Sequence, residues 1–161
     1  MTHSRKRILI VEDNRIDVRL LKDILEEHGH ETVQTGDGLE AINLAFEYRP
    51  DLILMDLQLP EISGLEVTRR LRGDERSRRI PIVAVTAFAT QWYKREALDS
   101  GCDAYVSKPL SMVGFLTTIE PFLSRSPNSS PGVQESRQPS ICSVGPCASI
   151  GTGSALNGAQ A

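Results

Sequence analysis

Several apolar runs in this 161-residue chain end in residues able to do chemistry together. Glu12 and Asp13 close the run Ile8–Val11, and Asp56 closes Leu52–Met55. Thr86 closes Ile82–Val85, and Lys108, followed by Pro109, closes a run that holds Tyr105 and Val106. If these runs are strands of one parallel sheet, their carboxyl ends lie along one edge, the edge where such sheets bind ligands. Three acids, a hydroxyl and a lysine would then meet at one place. That set suits a divalent cation and a phosphoryl group carried on a carboxylate.

Each residue has a plainer reading beside this one. The adjacent acids Glu12 and Asp13 repel each other unless a cation sits between them, yet an acid there also suits the start of the helix that follows. Asp56 at the neighbouring strand end favours the cation. Magnesium takes few carboxylates and keeps waters and phosphate oxygens, so Asp13 and Asp56 are expected as direct ligands. Glu12 would bind directly or through water, and the backbone carbonyl of Gln58 would add an oxygen. Asp56 is the candidate nucleophile, since carboxylates attack phosphorus to give acyl phosphates; alone, it reads as a loop acid. Lys108 is a mobile charge suited to a phosphate oxygen, with Pro109 able to hold its peptide cis. Thr86 could offer its hydroxyl to another phosphoryl oxygen. Tyr105 reads both as half-buried packing and as a rotamer switch coupled to Thr86.

These residues need elements to hold them. Apolar spacing predicts helices over Asn14–Glu27, Leu39–Tyr48, Leu65–Arg72, Gln91–Ser100 and Met112–Leu123. Strands are expected at Arg7–Val11, Glu31–Thr35, Leu52–Met55, Pro81–Val85 and Asp103–Val106. Five strand–helix repeats imply right-handed crossovers and a parallel sheet covered on both faces, in the flavodoxin-like order 2-1-3-4-5. Hydrophobic residues make up 40% of the chain, enough for one core. A net charge of −3 gives no electrostatic case for nucleic acid. No apolar run has the length of a membrane span, no signal peptide is recognisable, and a cytoplasmic protein is expected. Cys102, Cys142 and Cys147 imply no disulfide framework, and Cys102 reads as a small core residue. His3, His28 and His30 read as surface residues, and Arg76, Arg78 and Arg79 as a solvated loop. Trp92, the single tryptophan, either points outward or folds back as local packing. From Arg125 to Ala161, Ser, Gly and Pro supply 17 of 37 residues and none is aromatic. Such composition predicts a disordered tail, 125–161, after one domain, 5–124.

Val11-Glu12-Asp13-Asn14, Met55-Asp56-Leu57-Gln58-Leu59-Pro60, Gly64, Val85-Thr86-Ala87 and Ser107-Lys108-Pro109 together resemble the receiver domain of two-component response regulators, over residues 6–124. The resemblance implies a CheY-like doubly wound sheet with five helices, Asp56 as phosphoacceptor, and magnesium held by Glu12 and Asp13. It implies that Thr86, Tyr105 and Lys108 couple phosphorylation to a distant surface. The expected phosphoryl source is a sensor histidine kinase or a histidine phosphotransfer protein. The expected output is contact with a downstream protein through residues 90–123, with no nucleic acid or membrane involved. The chain would be a phosphoacceptor that assists its own phosphorylation and dephosphorylation rather than an enzyme. A receiver remnant of a longer regulator, or a relay or sink for another kinase, remains as an alternative. An aspartyl phosphatase of the haloacid-dehalogenase type would need an acid two positions after Asp56, where Gln58 cannot protonate a leaving group. A truncated transcription factor fits poorly with a tail that lacks basic charge and helical periodicity.

Overall fold

Strand β1, Arg7–Val11, sends Leu9 and Val11 into one hydrophobic cluster and Ile8 and Ile10 into another. That alternation follows from the pleat, and burial on both sides is the mark of a central parallel strand. The computed structural model describes residues 4–124. The expected tail 125–161, with Cys142 and Cys147, lies outside the described residues, as does His3.

After β1 come α1 (Arg15–Glu27), β2 (Glu31–Thr35), α2 (Gly38–Tyr48), β3 (Leu52–Met55) and α3 (Gly64–Gly73). The chain continues through β4 (Ile82–Thr86), α4 (Gln91–Asp99), β5 (Ala104–Ser107) and α5 (Met112–Leu123). All pairings are parallel, in the order β2-β1-β3-β4-β5, as expected from the repeats. Ala41 and Ala45 of α2, Val67 and Leu71 of α3 and Ala97 of α4 cover one face. Leu21, Ile24 and Leu25 of α1 and Phe115 and Ile119 of α5 cover the other. Cys102 is buried in the first cluster, and burial raises its thiol pKa to about 11.

The helices begin one residue after a side-chain cap, which moves several boundaries from their expected places. Asn14 belongs to the cap of α1, not its first turn: Oδ1 accepts from Ile16 N at 3.0 Å. Asp37 caps α2, Ser63 caps α3, Thr90 caps α4 and Ser111 caps α5 in the same manner. Gly29, at φ 82°, lets the chain turn out of α1. β5 starts at Ala104, because Asp103 is engaged elsewhere: its Oδ2 accepts from Ile82 N at 2.8 Å and from Arg72 at 2.7 Å. Arg72 also donates to Gly101 O, Arg78 O and Ile80 O, tying the amino edge of the sheet together. Arg76 is less free than a solvated loop residue, since it pairs with Asp74 and lies 3.8 Å over the Phe46 ring.

Candidate functional site

The sheet ladder runs on into the residues at its carboxyl edge. Glu12 N donates to Thr35 O at 2.9 Å, Asp56 N to Val11 O at 2.9 Å and Lys108 N to Thr86 O at 2.9 Å. The chemistry-bearing residues are therefore held by neighbouring strands rather than left on free loops. Gly64 packs the start of α3 against the same edge. A Cβ there would stand 2.0 Å from Asp56 O, so only glycine admits this approach.

The side chains converge as the strand-end placement predicts. Glu12, Asp13 and Asp56 each offer a carboxylate oxygen within 4.8 Å of the others, a group that could hold a metal ion. Glu12 and Asp56 are buried and Asp13 is exposed. Lys108 reaches into this group from the loop after β5, across the cis Lys108–Pro109 peptide. Its Nζ lies 2.5 Å from Glu12 Oε2, 3.1 Å from Asp56 Oδ2 and 2.9 Å from Asp17 Oδ2. It is thus no solvated lysine: only 14% of its side chain is exposed. Glu12 spends its second oxygen on Asn14 N at 3.1 Å, so it serves the start of α1 and the acidic group together. Gln58 is exposed, and its N–H donates to Asp56 Oδ1 at 2.9 Å.

The electrostatics follow from burial and from the ammonium. Burial raises the Glu12 pKa to about 7, while the bonds from Lys108 and Asn14 pull it down and the Asp56 charge pushes it up. Burial disfavours the Lys108 ammonium, but the hydrogen bonds to Glu12, Asp17 and Asp56 outweigh it and raise its pKa. A buried acid that clings to its proton beside two further carboxylates is a donor set that a small hard cation satisfies with oxygen ligands alone. An open groove of about 830 Å³ runs from Glu12 and Asp13 along α1 past Arg15 and Arg19, and neither Asp56 nor Lys108 lines it.

Thr86 and Tyr105 lie on β4 and β5, the two strands that follow β3 in the sheet order. Thr86 is fully buried at the end of β4, and its Oγ1 accepts from Phe88 N at 3.3 Å. Tyr105 is half-buried on β5, opposite Ala84, and packs on the α2–α3–α4 side of the sheet. Its hydroxyl is buried and finds no hydrogen-bond partner among the described residues. Trp92 points outward, 61% exposed, with its ring edge-on to Tyr93 at 4.8 Å. Asp17 was not among the residues singled out from sequence. Its signal was present: it is an acid in the first turn of a helix that starts at the sheet's carboxyl edge, three residues after Asn14. Only the folded chain shows that Lys108 reaches it.

Comparison with known proteins agrees with this geometry. Residues 8–120 match the response regulator receiver domain. The polar-differentiation response regulator DivK of Brucella anthropi is 52% identical over 118 residues, covering 73% of this chain and 96% of that protein. DivK of Brucella ovis is equally similar, at 52% over 118 residues. Among solved structures, the receiver domain of the Pseudomonas aeruginosa sensor histidine kinase PA1611, with magnesium coordinated in its active-site cleft, has a TM-score of 0.70 at 32% identity and covers 76% of this chain and 100% of that one. The Mn²⁺-bound response regulator Rcp1 has a TM-score of 0.61 at 31% identity, covering 73% of this chain and 93% of that one. The chemotaxis protein CheY4 of Vibrio cholerae, at 24% identity and a TM-score of 0.69, shares the fold, covering 74% of this chain and 99% of that one. The five-stranded sheet, the acids at its carboxyl edge and these similarities lead to one conclusion: the chain belongs to the response regulator receiver family.

Proposed function

We propose that this chain is a DivK-like response regulator that accepts a phosphoryl group on Asp56 and signals by a phosphorylation-dependent protein contact. The observation that carries the assignment is the meeting of Lys108 with Asp56 inside the carboxylate group Glu12–Asp13–Asp56. Glu12 and Asp13 would hold magnesium together with Asp56 and the Gln58 carbonyl. Bound there, magnesium supplies positive charge that offsets repulsion between the attacking carboxylate and an anionic phosphoryl group.

The chain's own residues do the rest. A sensor histidine kinase or histidine phosphotransfer protein presents a phosphohistidine at the carboxyl edge of the sheet. An Asp56 oxygen attacks phosphorus as the phosphorus–nitrogen bond breaks, leaving the phosphoryl on Asp56 and the electron pair on the imidazole. Lys108 donates to a phosphoryl oxygen, and its charge is fixed because its pKa is raised. Thr86, whose oxygen now receives only the Phe88 N–H, turns its hydroxyl to another phosphoryl oxygen. Tyr105 responds with its unpartnered hydroxyl, and the α4–β5–α5 surface, residues 90–123, carries the change to a partner. The chain is a phosphoacceptor, not an enzyme with a turnover substrate. The exposed amide at Gln58, where a phosphatase of the haloacid-dehalogenase type places an acid, supports that reading.

Acetyl phosphate with magnesium should add one hydroxylamine-labile phosphoryl group, and Asp56→Asn should abolish it. Undiminished labelling of that variant would overturn the assignment.

A further inference from the structure

The Lys108 ammonium joins two elements that share no strand pairing. It lies 2.9 Å from Asp17 Oδ2 on α1 and 3.1 Å from Asp56 Oδ2 after β3. A lysine ammonium has three protons to donate. Here three carboxylates receive them, the third being Glu12.

Two of those carboxylates have a second use. Glu12 and Asp56 belong, with Asp13, to the group whose oxygens lie within 4.8 Å of one another, and a cation held there draws on their charge. Acylation removes the charge of Asp56, because its oxygen is then bonded to phosphorus. Asp17 stands outside that group and keeps its charge through both events. Its place is also fixed. Asn14 caps α1 through Ile16 N, which sets the first helical turn, and the Asp17 side chain is 26% exposed.

We propose that Asp17 is a positioning residue for chemistry at Asp56: it anchors the Lys108 ammonium so that the lysine stays aimed at the phosphoryl position when Glu12 and Asp56 are otherwise engaged. The proposal rests on Asp56 being the phosphoacceptor. The plainer role for Asp17 is to favour the positive end of the α1 dipole. That role requires nothing of Lys108, and the two differ in what they predict for phosphorylation.

The test is the labelling rate of the full chain with acetyl phosphate at saturating magnesium. Asp17→Ala should slow labelling about three- to tenfold, the scale of one charge-assisted hydrogen bond at a partly exposed site. Asp17→Asn keeps an acceptor oxygen in place and should recover part of the rate. In a Lys108→Met background, Asp17→Ala should cause no further loss, because the residue it positions is gone. Asp23→Ala removes an acid from the exposed side of the same helix and should label like the wild type. The proposal is overturned if Asp17→Ala labels at the wild-type rate, or if it labels faster, as relief of repulsion on an anionic donor would produce. It is equally overturned if the loss persists undiminished in Lys108→Met, as a purely structural effect on α1 would show. Asp56→Asn tells the two failures apart. If it stays labelled, the phosphoacceptor reading falls and this proposal with it; if it is silent while Asp17→Ala is normal, only this proposal falls.

Discussion

Glu12 sits between two demands, and pH decides which one prevails. Its carboxyl is buried, and burial holds its pKa near 7, above the ordinary 4.5, against the pull of Lys108. In the metal-free protein the folded state therefore keeps a proton that the unfolded chain has already lost between those two values. Stability from this group is present at low pH and is lost as pH rises through that window, with the opposite sign to a salt-bridged carboxylate. A bound cation needs the carboxylate instead, so metal binding expels the proton. Magnesium should bind about tenfold more weakly at pH 6 than at pH 8, the change expected for one competing proton with a pKa near 7. Titrating the metal by calorimetry at both values measures this, together with the proton release at pH 6. Equal affinity would mean that Glu12 stays out of the metal site. The residue types at this edge were legible from sequence because strand ends and acids coincide at Asp13 and Asp56. The Asp17–Lys108 bond was not, because sequence spacing carries no information on contacts across 91 positions.

At the scale of elements, the approach of α3 to β3 fixes the loop that carries Asp56. Gly64 N donates to Leu57 O at 3.1 Å, Thr68 Oγ1 returns a bond to Gly64 O at 2.8 Å, and Ser63 caps the first turn. The cost of a side chain at Gly64 is set by backbone, not by a side chain free to move aside. The new Cβ would meet Asp56 O at 2.0 Å and Leu57 Cα at 2.9 Å. Gly64→Ala should destabilise the domain by about 2 kcal/mol, as overpacking against rigid neighbours does. It should also slow phosphorylation more than stability alone explains, since α3 can only back away by moving Asp56. Urea unfolding beside acetyl phosphate labelling separates the two effects. An alanine variant of wild-type stability and rate would show that α3 shifts freely. Gly73, where a Cβ meets nothing within 4 Å, is the matched control. The elements themselves were readable because their apolar periods are clean: Leu21, Ile24 and Leu25 mark the buried face of α1, and Leu52–Met55 the centre of the sheet. The boundaries were less so, because a residue such as Asn14 or Asp103 is placed by its hydrogen-bond partners and not by hydrophobicity.

Across the whole molecule, Glu12, Asp13, Asp56, Thr86 and Lys108 all lie within the described residues, and the composition of 125–161 offers only Arg125, Glu135 and Arg137 as charged groups. Ending the chain after Ser124 should leave the unfolding midpoint and the labelling rate of Asp56 nearly unchanged; a clear loss of either would show that the segment contributes to the domain. A short chain of contacts runs from Thr86 to α4. Thr86 Oγ1 receives the Phe88 N–H at 3.3 Å, the Phe88 ring stacks on Tyr93 at 4.4 Å, and Tyr93 meets the Trp92 edge at 4.8 Å. Three contacts thus lead from the buried Thr86 hydroxyl at the end of β4 to an aromatic that is 61% exposed on α4. If the Thr86 side chain moves towards a phosphoryl oxygen, the bond that its oxygen accepts from Phe88 N bends with it, and the stacked rings are the first neighbours to feel it. Tryptophan emission is sensitive to such a change, and this chain has one tryptophan to report it. Magnesium with beryllofluoride, a phosphoryl mimic, should shift the emission of the wild type and leave Asp56→Asn unaltered. Thr86→Ala should still bind the mimic but lose most of the shift, because the link to Phe88 is cut. A full shift in Thr86→Ala would place the coupling elsewhere, with Tyr105 and its unpartnered hydroxyl as the next element to test.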